Sequence, residues 1–193
     1  MATYQYLAFC KPHGVLSAFT DQESHATLKE YINIPGVYAA GRLDLDSEGL
    51  LLLTNDGGLI HRLTDPAHHL PKTYLVQVEG VPTITALTQL SKGVDLGDFK
   101  TRRCEVLQVD EPVIFERARP ITPHGPTNWL RISLTEGKKH QVKRMTASVG
   151  LPTLRLIRIA IGPVILGDLT PGKWRPLSKT ELAALGVRSQ PVV

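Results

Sequence analysis

Residues 50–53 are four consecutive leucines, stopped at once by Thr54, Asn55, Asp56, Gly57 and Gly58. An unbroken apolar run this short fits a buried strand and is far too short to cross a membrane. The residues after it tolerate positive φ, so the chain turns sharply there. Three carboxylates, Asp44, Asp46 and Glu48, stand just ahead of the leucines. They solubilise the start of the strand, hold a cation, or do chemistry. Asp44, Asp46, Glu48 and Gly49 match the first half of a calcium loop, but Leu52 and Asn55 stand where the later ligands belong, so a calcium site is rejected.

The rest of the chain reads as further strands with fewer helices. Strands are expected over 4–9, 15–19, 50–54, 70–80, 104–109, 129–137 and 154–162, from alternation or β-rich composition. Helical spacing predicts short helices over 28–31, 59–63, 82–90 and 138–149, the first opened by a Thr27/Glu30 capping box. Residues 112–128 are proline-rich and read as a long loop or hairpin tip. Strands do not alternate regularly with helices, so the expected class is α+β with a largely antiparallel sheet. No linker or repeat divides the 193 residues, which are expected to form a single domain over 1–193.

Two distant cysteines, Cys10 and Cys104, indicate neither a disulfide framework nor a structural zinc site. The first residues lack a basic and then apolar leader, and no stretch of about eighteen apolar residues occurs, so a soluble cytoplasmic protein is expected. Net charge is only +4 but unevenly placed: residues 1–96 carry six Lys/Arg against ten Asp/Glu, residues 97–193 sixteen against eight. Lys138, Lys139, Lys143, Arg144, Arg155 and Arg158 fall within 138–158, where there is no acid. Such a one-sided field favours a polyanion such as RNA.

KPHGVL (11–16), GRLDLDSEGLLLLTNDG (41–57), KTYLVQVEG (72–80), EGKKHQVKRM (136–145) and LRLIRIAIG (154–162) occur in this order. Together they resemble the motifs of the RsuA-type pseudouridine synthases over essentially the whole chain. AFTD, VYAAGRLD, RLTDP and TASVGLPTLRLIR are similar to the group that acts on large-subunit ribosomal RNA. The resemblance implies the pseudouridine synthase catalytic fold: a mixed, mainly antiparallel sheet, flanking helices, a central cleft and two closely packed subdomains. It also implies a chain without the S4 RNA-binding domain that many relatives carry first, and a monomer.

The same resemblance makes Asp44 the nucleophile of an isomerisation that breaks the N1–C1′ bond of a uridine and rejoins uracil through C5. Attack at C1′, attack at C6 and abstraction of a ribose proton all remain open. No metal or organic cofactor is required. Tyr74 would stack on uracil and could relay the C5 proton. Lys143 would hold Asp44 ionised, with Arg144 as the alternative partner. Arg42, two residues before Asp44 and on the same face if the segment is a strand, would take the vacated stack or a phosphate. Lys138, Lys139, Arg144, Arg155 and Arg158 would follow the RNA backbone. Two other classes compete: a non-catalytic ribosomal-RNA-binding assembly factor, and a magnesium-dependent hydrolase using Asp44 and Asp46.

Overall fold

The expected strands and short helices resolve into one mixed sheet with flanking helices in the computed structural model, which describes residues 3–20, 24–68, 70–117 and 119–187. The strands are β1 (Tyr6–Lys11), β2 (Tyr38–Ala39), β3 (Glu48–Thr54), β4 (Lys72–Glu79), β5 (Glu105–Val109), β6 (Thr127–Leu134), β7 (Thr153–Ile161), β8 (Val164–Ile165) and β9 (Trp174–Pro176). The helices are α1 (Gly57–Thr64), α2 (Ile84–Lys92), α3 (Gln141–Ser148) and α4 (Lys179–Ala184). Asp56 caps α1 by accepting from Leu59 N at 3.1 Å, and Thr83 caps α2 through Ala86 N at 3.1 Å.

The main path of the sheet runs β5-β6-β4-β7-β3-β1-β9, with β2 beside β3 and β8 beside β7. Every named pairing is antiparallel except one, β3 with β7, which is parallel and short: Glu48 opposite Ile157 and Gly49 opposite Arg158. The leucine run is buried on both faces of β3, as the period of a strand requires. Leu50 and Leu52 pack with Ala8, Cys10, Leu59 and Ile157, while Leu51 and Leu53 pack with Leu7, Phe9, Leu28 and Ile32. A third cluster, including Tyr74, Val76, Leu130, Ile132, Val142 and Met145, fills the side toward α2 and α3.

Gly49 fixes the parallel seam. It sits at φ +95°, and a Cβ there would collide with the Arg158 carbonyl, so only glycine lets the two strands meet. Next to it Glu48 is buried and receives Arg155 on both oxygens, Nε at 2.9 Å and Nη2 at 3.0 Å. Arg155 also donates to Phe115 O at 3.0 Å, which ties the proline-rich loop to the sheet.

A second device holds residues 43–45, just ahead of β3. Leu43 exchanges both backbone groups with the Ser17 hydroxyl at 2.9 Å each. Leu45 O accepts from Gly14 N at 2.8 Å and from the buried Lys11 ammonium at 3.3 Å. Lys11 Nζ also donates to Val15 O at 2.6 Å and Pro12 O at 2.9 Å. Three carbonyls thus solvate an amine that burial has pushed down to about 8, the nearby acids opposing that shift.

Three expectations differ from what is seen. Residues 15–19 make a single parallel bridge, Val15 with Ala26, instead of a strand, because they are spent on this clamp. The helix over 28–31 is one 3₁₀ turn, Leu28–Glu30, with Thr27 N donating to Glu30 Oε1 at 3.0 Å. The basic helix begins at Gln141, not at 138, because His140 is left-handed at φ +53°.

Two stability measurements follow. Arg155→Met strands the Glu48 carboxylate in the interior and should lower the unfolding free energy at pH 7 by about 3 kcal/mol in urea melts. A loss under ~0.5 kcal/mol would show that the pair holds nothing together. Lys11 has a lowered folded-state pKa, so between about 8 and the ordinary lysine value the unfolded chain binds the extra proton. Stability from this group therefore rises with pH across that window. Wild type should gain on Lys11→Met by roughly 3 kcal/mol between pH 7 and 10.5, and a flat difference would contradict the buried amine.

Candidate active site

The segment 42–47 is irregular loop and turn, not strand, so Arg42 and Asp44 do not share a strand face. Asp44 is instead carried on the loop that Ser17, Gly14 and Lys11 hold by its backbone, one turn ahead of the rigid β3. Its side chain is 32% exposed and faces Lys143 and His140 at the start of α3. Lys143 Nζ lies 3.5 Å from Oδ2, and His140 Nε2 lies 3.6 Å from Oδ1.

Lys143 is shared. Its ammonium also makes a close hydrogen-bonded ion pair with Asp46, so one lysine bridges the two acids of the RLDLD stretch. Partial burial would raise the Asp46 carboxyl, but the hydrogen bond and charge of Lys143 outweigh it and leave Asp46 below its ordinary value. Arg144 is not a partner of Asp44. It donates to Asp98 Oδ2 at 3.0 Å and to Leu96 O at 2.8 Å. Of the two candidate partners, Lys143 is therefore the one at Asp44.

Tyr74 stands on β4, opposite Arg158 of β7, and is 8% exposed in the cluster that includes Leu43, the residue before Asp44. Its hydroxyl makes no hydrogen bond among the described residues. Arg42 is exposed, and its carbonyl accepts from Arg158 Nη1 at 3.4 Å.

The basic run divides by burial. Lys138, Lys139 and His140 are exposed, with the Lys138 ammonium 3.7 Å above the Phe99 ring. Arg155 and Arg158 are buried, which overturns the expectation that they follow an RNA backbone. Arg155 is spent on Glu48; Arg158 Nε donates to Leu50 O at 2.8 Å, and through Arg42 O it fixes the start of the loop that carries Asp44. Burial on a central strand is the physical reason: two guanidiniums there neutralise a carboxylate and satisfy carbonyls, and cannot reach a phosphate.

Three residues of the site were not singled out from the sequence. Lys11 was legible as part of KPHG, but its role as a buried clamp was not. Ser17 carried no signal. His140 lies within EGKKHQVKRM, where its left-handed backbone cannot be read from residue type. Among the described residues no cluster of three or more His, Cys, Asp and Glu could hold a metal ion.

Comparison with known proteins agrees with this geometry. Residues 5–148 match the family described as RNA pseudouridylate synthase. The chain is 54% identical over 170 residues to the ribosomal large subunit pseudouridine synthase E of Xanthomonas campestris, covering 86% of this chain and 91% of that one. It is 50% identical over 173 residues to the protein of the same name from Vibrio parahaemolyticus, covering 89% and 73%. The ribosomal small subunit pseudouridine synthase A of Escherichia coli is 38% identical over 185 residues, covering 94% and 74%. A crystal structure of a pseudouridylate synthase superposes with a TM-score of 0.81 at 30% identity, over 96% of this chain and 75% of that one. With its α+β sheet, its clamped Asp44 and a family match spanning most of its length, the chain belongs to the RNA pseudouridylate synthases, isomerases that turn uridine in RNA into pseudouridine.

Proposed function

We propose that the protein isomerises a uridine of large-subunit ribosomal RNA, with Asp44 as the reacting carboxylate. The observation that carries this reading is the placement of Asp44: partly exposed, on a loop held rigid from both sides, its two oxygens facing Lys143 and His140. A carboxylate so held is aimed and open to a flipped nucleotide. The choice of ribosomal RNA rests on the relatives named above, and that of the large subunit on those about half identical to this chain.

Roles for the neighbours follow from their positions. Lys143 favours the ionised form of Asp46 and holds Asp44 and Asp46 at fixed spacing. Tyr74 offers its ring to the displaced uracil and a free hydroxyl to the C5 proton. Arg42, exposed beside the loop, reaches the emptied stack or a phosphate. Lys138 and Lys139, exposed just ahead of α3, meet the RNA backbone, whereas Arg144 is taken up by Asp98 and Leu96 O. Among the described residues no helix is long and apolar enough to cross a membrane, and action on ribosomal RNA fits a monomeric cytoplasmic enzyme.

Asp44→Asn preserves size and removes the nucleophile. It should cut pseudouridine formation by roughly a hundredfold or more with little loss of RNA affinity, whereas Asp46→Asn should keep most activity. Mapping pseudouridines in ribosomal RNA of cells that make each variant reads both outcomes, and near-normal turnover by Asp44→Asn would sink the assignment.

A separate measurement addresses the basic edge. Replacing Lys138 and Lys139 by Ala should weaken binding to any RNA and flatten the slope of log K against log salt by about 1.4, at ~0.7 per single-strand contact. Turnover at saturating RNA should hardly move. An unchanged slope would take both lysines off the RNA path.

A further inference from the structure

Charge counting around Asp44 leaves a deficit. Asp44 and Asp46 bring two negative charges to one ammonium, Lys143, and the closer contact of that ammonium is with Asp46. Lys11 lies nearby, but its ammonium is aimed at the carbonyls of Pro12, Val15 and Leu45. His13 is near enough to help lower the Asp46 carboxyl and has itself been shifted down by burial, the Arg117 charge adding to this. The group that faces the uncovered oxygen of Asp44 is His140, with Nε2 3.6 Å from Oδ1.

The backbone at His140 is shaped for this contact. Among the described residues only Ser24 and His140 adopt positive φ without being glycine, a conformation disfavoured for residues with a Cβ. Gln141 and Glu136 enforce it. Gln141 Oε1 accepts from Lys138 N at 3.0 Å, Gln141 N donates to Lys138 O at 3.1 Å, and Gln141 Nε2 donates to Glu136 Oε1 at 2.6 Å. This closed loop of bonds turns the chain at residue 140 and sends its side chain back to Asp44. Local strain maintained by surrounding bonds is a recurrent feature of functional sites.

We infer that His140 is a positioning residue for the reaction: as an imidazolium it covers the oxygen of Asp44 that Lys143 leaves free, and turnover depends on that charge. The inference rests on Asp44 being the reacting carboxylate. Lys143 and Lys139 on the same stretch of chain, and Asp44 and Asp46 on the facing loop, are the charges that bear on the imidazole. With 49% of the side chain exposed, the ring can swing from Asp44 when a nucleotide enters.

The test uses the full chain and large-subunit ribosomal RNA labelled with tritium at uridine C5, taken from cells that lack the protein. Tritium release measures loss of the C5 proton. His140→Gly suits the left-handed backbone and so isolates the side chain from folding. It should lower kcat about fivefold below neutral pH with KM little changed, the effect of a half-exposed ion pair. His140→Arg should restore most of the rate. Wild-type kcat should decline as pH rises through the range where imidazoles titrate, between about pH 5 and 8, and His140→Arg should lack that decline. A His140→Gly enzyme with normal kcat and a raised KM would make residue 140 an RNA contact and overturn the inference. So would identical pH profiles for wild type and His140→Arg. Asp44→Asn is assayed beside them: if it turns over normally, the reading of Asp44 fails and this one with it, whereas an inactive Asp44→Asn with an indifferent His140 series sinks only the present inference.

Discussion

The two-residue parallel contact between β3 and β7 is the constraint on which the rest of the structure depends. On one side of it lie β7, β4, β6 and β5; on the other lie β3, β1 and β9. Gly49 lets the backbones meet, Glu48 and Arg155 neutralise each other inside the joint, and Arg158 reaches from β7 to Leu50 O and Arg42 O. The loop that carries Asp44 is thus tied to β7 at one end while the turn after β1 grips its middle. Neither tie involves the carboxylate of Asp44, so that carboxylate keeps its exposure while its backbone is fixed.

Much of this was legible in the sequence because the relevant signals are local. The four leucines with their polar stop gave β3, alternation gave β4 and β6, and the motif around Asp44 pointed to the clamped loop and to Lys143 as its neighbour. What could not be read was long-range. Arg155 and Arg158 look like their neighbours in a basic run, yet strand pairing carries them inside, where a guanidinium acts as a bracket for carboxylate and carbonyls. Residues 15–19 have the composition of a strand but are used to hold another loop. His140 owes its place to a backbone angle fixed by Gln141 and Glu136, and no periodicity reports that.

The charge asymmetry between the two halves of the chain therefore has two physical meanings. Part of the excess in the second half is consumed internally: Arg155 by Glu48, Arg175 by Glu181, and Arg144 by Asp98. Lys138 and Lys139, exposed just ahead of α3, are among the basic residues left open to RNA, and even Lys138 rests on the Phe99 ring. Net charge predicts the class of partner, since the long-range field sums every charge. It does not predict which lysine or arginine touches it, because desolvation and pairing decide that residue by residue.

This division also explains why the acids of the RLDLDSE stretch have separate fates despite their regular spacing. Glu48 enters the strand, so it must be neutralised by a buried partner of fixed geometry, which Arg155 provides with two hydrogen bonds. Asp46, on the turn, takes the closer grip of Lys143 and anchors α3 to the loop. Asp44 is left with two looser contacts at 3.5 and 3.6 Å. Loose partners suit the reacting role proposed for Asp44: a carboxylate held as tightly as Glu48 would have to lose that stabilisation before it could react. The three acids thus form a gradient from buried and tightly paired to open and loosely held, set by how far each lies from the seam.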